Sequence, residues 1–279
     1  MLWMKKRFCD INPTCYKISI YKEILKRNLS DLFSGEKIAK TRRDEKLDQQ
    51  IFGFHSNMIK RAPGVDLTTQ LNKAENIRLA CARINGILIH PGETFSFWRT
   101  VGKITRKKGY KDGRVITNAG LTTGLGGGLC NLGNTINRAV LHSPLTVTEF
   151  HKHSDALAPD EGERIPLGAG TSVSYNYVDY RFKNNTDQVF QLCLWCDEEN
   201  ELFVELRAEK PVSTDYRLEE EDHHFRKEGE NYYRLSKLYR VTLDRESGAV
   251  LEKELIWDNH SKVMFDHALI PAHLIKDEK

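Results

Sequence analysis

The chain has 279 residues, of which 39% are hydrophobic, 29% charged and 9% aromatic, enough to bury a core without disulfide or metal staples. That composition excludes collagen, coiled coil and wholesale disorder. The mean hydropathy of −0.54, with purely apolar runs of only a few residues such as Ile87-Leu88-Ile89, excludes a membrane helix, which needs about 20 apolar residues.

Net charge is +3, too near zero to indicate nucleic acid as a partner. The head carries Lys5-Lys6-Arg7, but Cys9-Asp10-Ile11-Asn12-Pro13 follows in place of an apolar segment and cleavage site. The expected location is therefore cytoplasmic. Six cysteines (9, 15, 81, 130, 193 and 196) lack a framework spacing and read as reduced thiols. Residues 1–47 hold twelve Lys/Arg against six Asp/Glu. Such a basic arm suits an anionic membrane surface or, more simply, a solvated helix packed on the domain.

Helical spacing runs through Tyr16, Ile18, Ile20, Tyr21, Ile24 and Leu25, and Ser30-Asp31 with Ser34-Gly35 is expected to interrupt it. A second helix is predicted from about 66 to 85. Asp66 or Thr68 caps it, Leu71, Ala74, Ile77, Ala80, Cys81 and Ile84 form its buried stripe, and Gly86 stops it. Ile87–Ile89 reads as a strand and His90-Pro91-Gly92-Glu93 as a turn. Residues 102–128 read as short extended pieces between glycine turns. A third helix is expected over 129–142, then a strand over 145–154. From 171 onward the pattern becomes period two, as in Val173, Tyr175 and Tyr177. A hairpin loop is predicted at 244–248 between strands 239–243 and 250–257.

The expected fold class is α+β: a glycine-rich mixed α/β core domain carrying a cysteine at a helix N-terminus, followed by an antiparallel β module. The predicted division is a basic helical N-terminal arm over 1–65, the core over 66–165 and the β module over 166–279.

Chemistry concentrates in Gly126-Gly127-Gly128-Leu129-Cys130-Asn131, just before the third helix. Consecutive glycines suit a sharp bend or a close approach, and the absence of Gly-Lys-Ser/Thr excludes a phosphate loop. A helix start favours a thiolate at Cys130, and N–H groups there, with those of Gly127 and Gly128, are candidates for an oxyanion site. The strand after the helix returns His151 and His153 toward Cys130, with Glu149 on the same face; boundary error leaves the two histidines equivalent as the base. Cys130 as plain packing, and Cys130 with His151 and His153 as metal ligands, stand as alternatives; the spacing does not match common zinc sites, so no metal and no cofactor are expected. Cys193 and Cys196, two faces of one strand, read as core. Phe95, Phe97 and Trp98 read as core or as a cleft wall.

Pro91-Gly92-Glu93-Thr94-Phe95-Ser96-Phe97-Trp98, Val101-Gly102, Gly109-Tyr110, Gly113, Gly126-Gly127-Gly128-Leu129-Cys130, Glu149 and His153-Ser154, in that order, resemble the VanW family over about residues 70–190. The resemblance implies a bacterial protein connected with glycopeptide resistance and cell-wall peptidoglycan. It implies Cys130 as the nucleophile of an L,D-transpeptidase-like acyl transfer, His153 as base, and Glu149 or Asp179 as its orienter. Gly126, Gly127, Gly128, Asn131 and Trp98 would then meet a stem peptide or precursor. The chain departs from the family's usual pattern in Asn131, where Gln is usual, and Phe150, where Arg is usual. A non-catalytic module that binds a wall precursor or a partner protein is the alternative function.

Overall fold

The structure, a computed structural model, describes residues 7–59, 66–117, 120–152, 155–156, 159 and 170–276. Helix α1 (Pro13–Phe33) begins at Asn12, whose side chain accepts the Cys15 N–H at 2.8 Å, with Pro13 in the first turn. The expected interruption at Ser30-Asp31 does not occur. Asp31 spends its carboxylate on Arg99 and Arg181, both at 2.8 Å, rather than competing for its own backbone.

Strand β1 (Gln49–Asn57) leads to helix α2 (Leu67–Ile84). Asp66 caps α2 by accepting the N–H groups of Thr68 and Thr69. Gly86 ends it at φ +78°, where an added Cβ would lie 2.5 Å from the Arg43 carbonyl oxygen. The buried stripe holds Ala74, Ile77, Ala80, Cys81 and Ile84 as predicted. Leu71 is exposed instead, and the polar Gln70 and Asn76 are buried.

Short elements follow: β2 (Ile87–Ile89), β3 (Thr94–Ser96), α3 (Phe97–Val101), β4 (Asp112–Thr117), β5 (Gly120–Leu125), α4 (Leu129–Leu141), β6 (Thr146–Glu149), β7 (Asp155–Ala156), β8 (Arg181–Lys183), β9 (Phe190–Cys196) and β10 (Glu201–Ala208). β6 ends at 149, short of the strand predicted to 154. The alternation at 173–177 does not produce a strand: Asn176 at φ +55° turns the chain, and Ser174 N–H bonds Val178 O.

An antiparallel sheet of order β1-β10-β9-β2 carries the main core. Along β10, Leu202, Val204, Leu206 and Ala208 alternate inward; α4 packs against β10 and α2 against β9. A second sheet, β3-β8-β6, adds Phe95 and Phe182, stacked at 4.8 Å. The main sheet thus draws strands from all three of the stretches that the sequence separates. Cys196 faces away from Cys193 and lies 3.8 Å, sulfur to sulfur, from Cys81.

The last third is a long ribbon of β11 (Thr214–Glu228), β12 (Asn231–Asp244) and β13 (Val250–Val263), edged by β14 (Ile275–Lys276) and β7. The β12–β13 loop matches the predicted hairpin. Gly248 takes φ +69°, and Asp244 accepts the N–H and hydroxyl of Ser247. A small second core of Ala156, Phe225, Val263 and Ile270 seals the far end.

Candidate active site around Cys130

Two backbones touch where the glycine loop turns into α4. Gly127 packs on Gly113 so closely that a Cβ at 127 would lie 2.3 Å from the Gly113 carbonyl carbon. Buried Asn76 holds the loop, donating to Lys111 O and Gly127 O and accepting the Lys111 N–H. Gly127→Ala is accordingly expected to cost about 1–3 kcal/mol by overpacking, read as a fall in the melting temperature by circular dichroism. The loop's N–H groups are largely committed: Gly126 donates to Lys111 O, Gly127 to Gly124 O and Asn131 to Gly128 O. Gly127 therefore does not supply the oxyanion donor expected of it.

Cys130 is the second residue of α4, after Gly128 at φ +104°. Its sulfur sits against the backbone of Val173, 3.5 Å from the N–H and 3.7 Å from the carbonyl. The thiol was expected to be acidic, and its surroundings do the reverse. Burial pushes its pKa up; the Val173 and Cys130 N–H groups and the Lys73 cation offset only part of that.

The histidines are arranged differently from expectation. His142 lies at the other end of α4, stacked on Phe52 at 4.1 Å. His151 does return to the level of Cys130. Its carbonyl accepts the Ser172 N–H at 2.7 Å, one residue from the Val173 that meets the sulfur. Successive peptide groups of an extended chain point to opposite edges, so the 171–173 segment stands between the His151 backbone and the thiol. The His151 ring bonds Glu149 at 2.8 Å. His153 lies outside the described residues.

Glu149, expected to orient a base, belongs to a charge network. Arg27 of α1 grips it with two bonds of 2.7 and 2.5 Å, and Arg181 stands 3.6 Å away. Burial raises its pKa, but His151 and Arg27 hold it below the usual carboxylate range. Asp179 is fully buried and accepts from Ser96 Oγ, the Trp98 and Tyr180 N–H groups and Arg181 Nε. Trp98 is buried, its indole N–H spent on Val178 O at 2.9 Å. It packs the domain and offers no ring face to a ligand.

One cation with no place among the expected site residues comes to Cys130, and a second lies near the first. Lys73 of α2 packs its stem on Gly128, where a Cβ would lie 2.2 Å from its Cγ. Burial, with Arg114 of β4 nearby, lowers its pKa to about 8, while Cys130 favours its charged form. Neither Lys73 nor Arg114 has a carboxylate partner among the described residues. The Asn131 side-chain oxygen, next along α4 from Cys130, is buried and has no hydrogen-bond partner among the described residues. The available signal was Gln70, Asn72, Lys73 and Asn76, polar residues at helical spacing next to an apolar stripe. Among the described residues no group of His, Cys, Asp and Glu converges as a metal site.

A helix-start cysteine after a glycine loop, packed on the same core as the Gly-Glu-Thr-Phe-Ser-Phe-Trp turn, defines a VanW-like domain. Residues 72–207 match the family described as VanW like protein, so this stretch of the chain is a VanW-like domain. It is 29% identical over 233 residues to the vancomycin B-type resistance protein VanW of Enterococcus faecalis, covering 84% of each chain. It is 33% identical over 117 residues to the uncharacterized protein YoaR of Bacillus subtilis, covering 42% of this chain and 37% of that one. No solved structure matches it.

Proposed function

We propose that this chain is an accessory protein of glycopeptide resistance that acts on peptidoglycan stem peptides or their precursors by cysteine-dependent acyl transfer. The likeness to the vancomycin resistance protein over most of both chains supports the biological half of this reading. The chemical half rests on one observation: a largely buried lysine, with no carboxylate partner among the described residues, beside the cysteine in the first turn of α4.

In the proposed reaction Cys130 Sγ attacks the donor carbonyl carbon and passes its proton to Lys73 in its neutral form. The carbonyl–nitrogen bond breaks, the leaving amine takes that proton, and a thioester remains. An acceptor amine then attacks the thioester, the new amide forms, and the thiol is restored. A lysine with pKa near 8 keeps roughly a tenth of its population neutral at pH 7, which suits a general base. Arg114 and the Asn131 oxygen supply a cation and an acceptor for a stem carboxylate and amide.

The raised thiol pKa and the committed loop N–H groups favour a second reading, a non-catalytic module that binds the precursor. Cys130→Ala separates the two. The catalytic reading expects this variant to stay folded, to lose acyl transfer on stem peptides by at least about a hundredfold, and to lose glycopeptide resistance in cells that depend on the protein. Full resistance with Cys130→Ala, together with loss in Arg114→Ala, selects the binding module.

A further inference from the structure

Helix α1 is docked the wrong way round for a solvated arm. At about 100° per residue, Ile18, Tyr21, Leu25, Leu29 and Leu32 fall within roughly 80° of one another, forming a continuous apolar stripe. That stripe faces outward: Tyr21 is 68% exposed, Leu25 60% and Leu32 73%. The helix is held to the domain from another side and mainly by polar contacts. Arg27 binds Glu149, Asn28 accepts from Asn176, and Asp31 binds Arg181 and Arg99. A helix that packs its charges inward and presents its leucines to solvent reverses the usual pattern of a surface helix.

The rims of the stripe are cationic. Lys17 lies on one flank and Lys22 and Lys26 on the other; of these only Lys22 has an ion pair among the described residues, with Glu23 at 3.1 Å. No described helix is long and apolar enough to cross a membrane, and α1 itself carries six charged residues in 21. An apolar stripe edged by lysines matches a surface with an acyl interior and anionic headgroups. A second copy of the chain fits less well, because a two-fold pairing through the same patch brings like-charged rims together.

We infer that the outward face of α1 lies in the interface of an anionic phospholipid membrane, with Ile18, Tyr21, Leu25, Leu29 and Leu32 inserted and the three lysines on the headgroups. This goes beyond the acyl-transfer reading and does not depend on it, since none of these eight residues takes part in that chemistry.

The test is co-sedimentation of the full chain with vesicles of phosphatidylcholine alone and of an equimolar phosphatidylcholine–phosphatidylglycerol mixture. The wild-type chain is expected to bind the anionic vesicles about tenfold more than the neutral ones, and less as salt rises. The triple variant Tyr21→Ser, Leu25→Ser, Leu32→Ser and the double variant Lys17→Glu, Lys26→Glu should each reduce that binding by about tenfold. Both keep Arg27 and Asp31; should the serine variant lose its circular dichroism spectrum, the lysine variant decides. Cys130→Ala should bind vesicles as the wild type does, which separates this inference from the chemistry. Absence of anionic-vesicle binding overturns it, as does binding that both variants retain. A soluble dimer that the serine substitutions dissociate, with no vesicle binding, overturns it in favour of a second copy.

Discussion

Arg181→Met is expected to remove on the order of 3–5 kcal/mol of stability, the scale for stripping one partner from a buried ion pair. Arg181 is only 4% exposed, and its guanidinium meets Asp179 and Asp31 at 2.8 Å, Glu36 at 3.1 Å and Glu149 at 3.6 Å. Burial works against its charge, and Asp179 and Asp31 more than offset that. Methionine keeps much of the volume but leaves Asp179 and Asp31 facing each other without the cation between them. The expected result is a large fall in the urea midpoint, and loosening of α1, which Asp31 and Glu36 tie to the sheet through this side chain. Arg181→Lys keeps the charge without the fork and should fall between. An unfolding free energy for Arg181→Met within about 0.5 kcal/mol of wild type, the range for an unremarkable surface change, would show that the network holds little of the fold.

This network also explains what the family motif does. In Pro91-Gly92-Glu93-Thr94-Phe95-Ser96-Phe97-Trp98, the turn closes as Glu93 accepts the His90 N–H, and Gly92 at φ +79° donates to Asn184 O. Ser96 caps α3 and donates to Asp179, while the Trp98 N–H binds the same carboxylate. The motif is therefore a structural knot around a buried aspartate, and the candidate site lies instead with the glycine loop and its neighbour on α2.

Local features were legible in the sequence because their causes are local. The Asp66 cap, the Gly86 stop, α4 and the loop at 244–248 each depend on side chains within a few residues. The charge network was not legible: residues 27, 31, 36, 149, 179 and 181 meet only because three segments fold together. Strand β11 was missed for another reason. Its run Glu219-Glu220-Glu221-Asp222 has poor strand propensity, and the charges are met across the ribbon, Glu219 and Glu221 by Lys253 at 2.9 and 2.7 Å. Cross-strand pairing of this kind has no signature within one strand. The same limit hid Lys73. A lysine on a helix reads as solvent-facing until a glycine 55 positions later gives its stem a place to lie.

Lys73→Met should make the protein more stable at pH 7 and less able to use Cys130. Burial, then Arg114, brings the lysine to about 8 in the fold, against about 10.4 in an unfolded chain. Between those values the unfolded chain binds a proton that the folded chain does not, so wild-type stability rises with pH across the window. Below pH 8 the buried charge weighs against the fold in full, on the order of 2 kcal/mol once partial solvent access is allowed for. The variant's advantage should thus be largest at pH 7 and shrink toward pH 10, read from paired urea curves whose difference cancels every other titration. In function the sign reverses. The cation helps offset the burial that raises the Cys130 pKa, so its loss should slow alkylation of Cys130 by about tenfold near neutrality and erase the inflection near pH 8. Arg114→Met should leave that inflection in place, moved upward by loss of a neighbouring positive charge. A Lys73→Met chain that is less stable at pH 7, with an unchanged alkylation profile, would make Lys73 a packing residue and leave Cys130 without its base.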